Sequence, residues 1–337
     1  MTTFLGAWEG AELAAVARKC GLADERLTLR NDAMALAPAA MTAIVDAFDA
    51  VRSGRCHTVL AYKANKWKRG QPPGPPSGGA TIGGPQQFQV PYGNTMTAQT
   101  LALWAQRHFH EHGTRGEHLG AIAVTNRAHA ARNPGAVLRD PLTLDEYFRS
   151  PWVSRPFRRL DCDFPIDGAG AVIVTTAERA RDLRRAPVYV LGGRTREAVW
   201  EEWDNWPDLT TMASKQVSDA IWAESSLRPE DVDVAGLYDG FSWLELCWLE
   251  DAGFCAKGEG GPFAASGAID LGGRLPTNTH GGNLSEGRTH GIGHVLEVVR
   301  QLRGECGARQ VADARVGFVG NGGGPVAGAV LLATEPP

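Results

Sequence analysis

VDVAGLYDGF at 232–241, PTNTHGG at 276–282, GRTHGIG at 287–293 and GNGGG at 320–324 decide the reading of this chain. The first is an apolar run, a buried strand over 232–237, that breaks at Tyr238-Asp239-Gly240. The third opens a helix over 290–303, and the fourth follows a strand over 315–319. Polar and glycine-rich loops that follow strands or precede helices converge at the carboxyl edge of an α/β sheet, where helix N-termini favour anions. None of these loops has the spacing of a P-loop or a dinucleotide fingerprint, so a nucleotide-binding fold is excluded.

Around this core, helices are expected over 212–222 and 243–251 and strands over 188–191 and 327–333. Arg184-Arg185-Ala186-Pro187 marks a boundary, and before it the alternation already runs once. Helices are expected over 12–19, 35–51, 101–112, 116–131 and 177–183, with strands over 57–62 and 169–175. The chain thus divides into halves, 1–186 and 187–337, the first with a long excursion at about 66–165. Residues 66–90 are rich in Pro and Gly without periodicity, a flexible loop or an ordered lid or partner contact.

A chain of 337 residues is long enough for a sizeable core, and 43% hydrophobic with 21% charged residues is ordinary for a soluble globular protein. A net charge of −4 argues against a general nucleic-acid or polybasic membrane binder. No run approaches the ~20 apolar residues of a membrane span, and no signal peptide is visible, so a cytoplasmic setting is expected. The six cysteines form no C-x-x-C pair, which disfavours a zinc ribbon. His108, His110 and His112 read as solvated surface rather than a metal site, because only the outer two share a helix face. Trp200, Trp203, Trp206, Trp222, Trp243 and Trp248 read as core or interface, with an apolar tunnel as the alternative.

The order YDGF, N-x-x-GG, QLRGECGARQV at 301–311 and GNGGG resembles the second half of the thiolase superfamily. Pro91-Tyr92-Gly93, the helix through Arg107 and His108, Asn133-Pro134, Pro141-Leu142-Thr143 and DCDFPIDGAGA at 161–171 resemble its sterol-carrier-type branch, above all the aldolases of bacterial steroid side-chain degradation. The resemblance implies a layered thiolase-like α/β fold (αβαβα) of two similar halves. Only about three dozen residues precede Ala37, so the first half is expected to be shortened, with an exposed sheet edge that a partner might cover.

The departures from a thiolase set the chemistry. The nucleophilic cysteine is expected near Ala37, and no cysteine lies between Cys20 and Cys56. Arg288 stands in the slot of the catalytic histidine and Gly320 in that of the second cysteine. Without a thiolate no acyl-enzyme forms. Tyr238 occupies a position where the aldolases are similar in carrying an acid–base tyrosine, and they tend to have a second tyrosine where this chain has Arg288. A guanidinium beside Tyr238 is expected to favour phenolate and to hold an enolate oxygen. His280, in a loop facing the site, is a candidate acid or base, with a backbone-bonding role as the alternative. Asn278, Gly281, Gly282 and Gly323 are assigned to substrate and oxyanion binding. Asp239 reads as structural, and His290 and His294 as helix residues outside the chemistry.

The resemblance implies retro-aldol cleavage of a β-hydroxyacyl-CoA thioester with a steroid or other polycyclic side chain, giving a ketone and a shortened acyl-CoA. Tyr238, aided by His280, would take the hydroxyl proton. No metal and no tightly bound cofactor is required; coenzyme A enters as part of the substrate. A homodimer is implied, as is a separate OB-fold, zinc-ribbon partner subunit. The alternatives are a catalytically silent acyl-CoA-binding or scaffold subunit and a degenerate thiolase-type acyltransferase.

Overall fold

A computed structural model describes residues 2–4, 13–21, 31–33, 39–66, 87–197, 200–203 and 205–336. Ala37 and the Pro/Gly stretch at 67–86 lie outside the described residues. The elements run β1 (Thr2–Phe4), α1 (Leu13–Lys19), β2 (Asn31–Ala33), α2 (Ala39–Arg52), β3 (Thr58–Asn65), α3 (Thr97–His112), α4 (Gly116–Ala130) and α5 (Leu144–Arg149). A small ribbon follows, β4 (Trp152–Ser154) and β5 (Phe157–Arg158), then β6 (Gly168–Thr175) and α6 (Ala177–Arg181). The second half holds β7 (Tyr189–Arg196), α7 (Ala213–Glu224), β8 (Val234–Leu237), α8 (Ser242–Asp251), α9 (Gly260–Ala265), α10 (Gly282–Ser285), α11 (Ile292–Leu302), β9 (Val316–Gly323) and β10 (Val326–Ala333). The short unit β1–α1–β2 therefore precedes α2, and β1 lies between β2 and β3, parallel to both.

Two four-stranded mixed sheets, β2-β1-β3-β6 and β7-β10-β9-β8, face one another across α2 and α11. Helix α2 can lie between two sheets because its buried side chains, including Ala40, Ala43, Ala47 and Ala50, are mostly small. Its core continues into Val59 of the first sheet, Val319 and Val330 of the second, and Ile292, Val295 and Val298 of α11. Glycines in the sheets let these helices approach. A Cβ at Gly328 would stand 2.6 Å from Met41 Cβ, and one at Gly170 would stand 2.7 Å from Ile292 Cγ1.

Helix α8 lies outside the second sheet and is buried along its whole length. Its three acids are each satisfied, as burial demands. Asn126 and Thr277 donate to Glu245 at 2.8 and 2.7 Å. His108 Nε2 and the Gly260 N–H serve Glu250, both at 2.9 Å. Lys257, Ser214 and the Met212 N–H serve Asp251 at 2.7, 2.5 and 2.9 Å.

Two expectations are corrected. His108 is not surface: its other nitrogen meets Thr114 Oγ1 at 2.8 Å, because helix α3 packs that side chain against α8. The glycine run at 320–323 is not a loop. It continues β9, pairing Gly320 with Ala329 and Gly323 with Val326, and it is glycine because Trp248 and Leu244 of α8 cover it. Trp243 and Trp248 are fully buried, and Trp203 and Trp206 pack on Trp104.

Candidate active site

Tyr238 continues the line of β8: its N–H donates to Gly320 O at 2.9 Å before the chain turns into α8. Its ring lies over Gly240, where a Cβ would stand 2.7 Å from Tyr238 Cε1. The side chain is buried, and among the described residues none hydrogen-bonds its hydroxyl. Burial pushes the phenol upward, Asp163 adds to this, and Arg288 only partly opposes it. The expected depression by Arg288 is thus reversed, since desolvation of a phenolate outweighs one guanidinium that already serves a carboxylate.

That carboxylate is Asp163, whose Oδ2 lies 3.2 Å from Arg288 Nη1. The end of the long excursion delivers it. Asp163 N–H donates to Gly240 O at 3.1 Å, Phe164 N–H to Asn283 O at 3.0 Å, and Arg288 N–H to Phe164 O at 2.7 Å. From the other side Asn65 Nδ2 at the end of β3 donates to Arg288 O at 3.3 Å. Burial raises Asp163 to about 6 against the pull of Arg288. Lys63, buried on β3, is lowered to about 8 by burial and by Arg288.

Three buried histidines lie on the neighbouring segments. His294 Nε2 on α11 lies 3.0 Å from Asp239 Oδ1. His280 packs edge-on against His294 with ring centres 5.0 Å apart, and its Nε2 lies 3.5 Å from Glu286. Burial lowers His280, so its ring is neutral near pH 7 despite Glu286. His290 is held well below its usual value by burial, then by Arg288 and Lys63.

The residues assigned to the oxyanion have other engagements. Asn278 is locked onto the last residue of β8: its amide donates to Leu237 O at 2.8 Å and accepts the Leu237 N–H at 2.9 Å. The Gly281 N–H donates to Asn278 O at 2.7 Å. Gly282, at φ 60°, lets α10 sit on Asp239, where a Cβ would stand 1.9 Å from Oδ2. Gly323 lies in β9 under Leu244. The structure therefore brings together Tyr238, Arg288 and, a layer behind, His280, and it adds Asp163, Lys63, His290 and His294. Asp163 and Lys63 are the two that the sequence reading did not name; Asp163 left no local signal, and Lys63 left one, a lysine in a strand directly after the apolar run of β3.

Clefts of about 250 Å³ (Pro229, Phe254, Phe263) and 710 Å³ (Arg107, Trp206, Lys257) open elsewhere and include neither Tyr238 nor Arg288. Among the described residues no group of three His, Cys, Asp or Glu side chains is placed to hold a metal, and no helix is long and apolar enough to cross a membrane.

Comparison with known proteins agrees with this fold. The Thiolase C-terminal domain-like family matches residues 197–334. A 17-hydroxy-3-oxo-4-pregnene-20-carboxyl-CoA lyase of Mycobacterium tuberculosis is 38% identical over 308 residues, covering 86% of this chain and 77% of the relative. The chain belongs to the thiolase superfamily. Within that superfamily it stands among the steroid side-chain-cleaving aldolases. One from Thermomonospora curvata is 35% identical over 88% of this chain and 78% of its own length. The solved Ltp2-ChsH2(DUF35) aldolase superposes with a TM-score of 0.88 at 32% identity, covering 98% of this chain and 86% of that one. An Ascaris suum thiolase solved with coenzyme A, at 17% identity and a TM-score of 0.63, shares the fold.

Proposed function

We propose that this thiolase-superfamily chain is a lyase that cleaves a β-hydroxyacyl-CoA thioester by retro-aldol reaction, with a steroid side chain as substrate. The carrying observation is the buried Tyr238 phenol, to which no described residue hydrogen-bonds, beside the Arg288–Asp163 pair, in a chain so similar to named steroid lyases. The reaction needs an acceptor for the β-hydroxyl proton, a cationic seat for the enolate, and a donor for its carbon. Tyr238 enters as phenol, which suits the donor, and the Arg288 guanidinium suits the enolate oxygen. Neutral imidazoles at His280 and His290 suit the acceptor.

Thiolase chemistry is disfavoured for lack of a thiolate. Burial raises the Cys162 and Cys247 thiols, and pushes Cys255 and Cys306 up to about 12, opposite to what a nucleophile requires. Arg288 and Gly320 occupy the slots assigned to the thiolase histidine and second cysteine. Coenzyme A belongs to the substrate, and the chain works as a homodimer with an OB-fold, zinc-ribbon subunit, a reading supported by the ChsH2(DUF35) component named in the solved relative.

The test is incubation with 17-hydroxy-3-oxo-4-pregnene-20-carboxyl-CoA, with and without such a subunit, analysed for the 17-ketosteroid and the shortened acyl-CoA. Binding without cleavage in both arms supports a silent binding subunit instead. A stable thioester adduct by intact mass revives the acyltransferase.

A further inference from the structure

His290 carries costs that its packing does not explain. Its backbone is left-handed, at φ 54°, a conformation that glycine adopts freely and few other residues do, asparagine, aspartate and histidine most often among them. Both ring nitrogens are buried, with no hydrogen-bond partner among the described residues, and a buried polar atom left unpaired is destabilising. Two cations, Lys63 and Arg288, lie near enough to disfavour its protonation. The surroundings hold it there nonetheless. Asn321 Nδ2 donates to the His290 carbonyl at 3.0 Å, and the next residue must be glycine, since a Cβ at Gly291 would stand 1.7 Å from that same amide. Backbone strain and unpaired polar atoms at one residue point to function rather than folding.

We propose that His290 is the base that accepts the β-hydroxyl proton of the substrate, an assignment that rests on the aldolase reading of this site. His280 is less suited, because its Nε2 faces Glu286 at 3.5 Å and its ring packs on His294. His290 lies two residues from Arg288, and its nitrogens serve nothing in the fold.

The step balances. The hydroxyl proton passes to a ring nitrogen of His290, and the O–H electrons form the ketone C=O. The Cα–Cβ bond breaks, and its electrons form the CoA enolate beside Arg288. Tyr238 then gives its proton to Cα, and the imidazolium returns one proton to the phenolate through solvent. No oxidant, metal or net proton is consumed.

The test compares the wild-type chain with His290→Asn and His290→Gly on 17-hydroxy-3-oxo-4-pregnene-20-carboxyl-CoA, in whichever assembly cleaves it. Both variants suit left-handed backbone, so melting temperature is expected to hold or rise while substrate binding is kept. Turnover is expected to fall by about 10²–10⁴-fold, and added imidazole to restore part of it in His290→Gly. Turnover of His290→Asn within about tenfold of wild type overturns the assignment. So does a loss of turnover that follows a loss of melting temperature or of binding. If the wild-type chain cleaves nothing, the aldolase reading falls and takes this base with it. If it cleaves and the variants cleave as well, only the base is wrong.

Discussion

His294 Nε2 and Asp239 Oδ1 lie 3.0 Å apart, and the same carboxylate accepts the N–H groups of Asn283 and Leu284 at 2.8 and 3.1 Å and the amide of Asn126 at 3.1 Å. This one fully buried acid, the residue after Tyr238, thereby ties together α4, the start of α10 and one face of α11. Asp239→Asn turns an acceptor of four donors into a group that itself donates. Stability is expected to fall by about 2–4 kcal/mol, read as a lower urea midpoint. A midpoint equal to wild type removes Asp239 as the organising residue.

Tyr238→Phe deletes one hydroxyl that the fold does not use. Turnover is expected to drop by about 10²–10⁴-fold with the melting temperature retained. Full turnover in this variant disproves its role as proton donor.

Arg288→Ala removes the cation and leaves Asp163 buried alone. Cleavage is expected to fall by about 10²–10³-fold, as when an oxyanion donor is deleted. Arg288→Tyr restores a donor at the slot and is expected to cleave faster than Arg288→Ala. Equal rates for the two substitutions would show that position 288 does not touch the reacting oxygen.

His129 supplies a pH test independent of catalysis. Its buried Nε2 accepts the Leu271 N–H at 3.0 Å, and burial lowers it from 6.5 to about 4. For a base depressed on folding, the unfolded chain binds more protons below pH 6.5. Its contribution is therefore present at neutral pH and is lost as pH falls from 6.5 toward 4. His129→Gln keeps an acceptor without a titration, so its stability loss between pH 7 and pH 5 is expected to be about 2 kcal/mol smaller than wild type. Parallel pH dependence of the two urea midpoints would refute this.

Legibility followed chain distance. The proximity of Tyr238 to Arg288 was readable, because the loops that carry them both gather at the end of β8. The nearness of Asp163 was not, since it reaches Arg288 through long-range backbone pairings of 163–165 with Gly240, Asn283 and Arg288. The direction of the Tyr238 shift was missed for a related reason: the guanidinium is visible in the sequence, whereas the burial and the second carboxylate that outweigh it are not. The two bonds of Asn278 to Leu237 were not legible, because an asparagine at φ 46° serves a turn as readily as a ligand and those bonds appear only when β8 is in place. GNGGG looked like a loop because nothing local reveals that α8 presses on it.

The loop through Arg288 is gripped by its peptide atoms: the N–H by Phe164, the carbonyl by Asn65, with Pro165 alongside as a strand-like neighbour. Such a grip is blind to the side chain. Position 288 is therefore an exchangeable seat, in which groups of different acidity can be mounted while the surrounding elements keep their course. A scaffold with one such seat can acquire new reactivity by changing that residue together with Asp163, the carboxylate it answers, while the loop itself keeps its course.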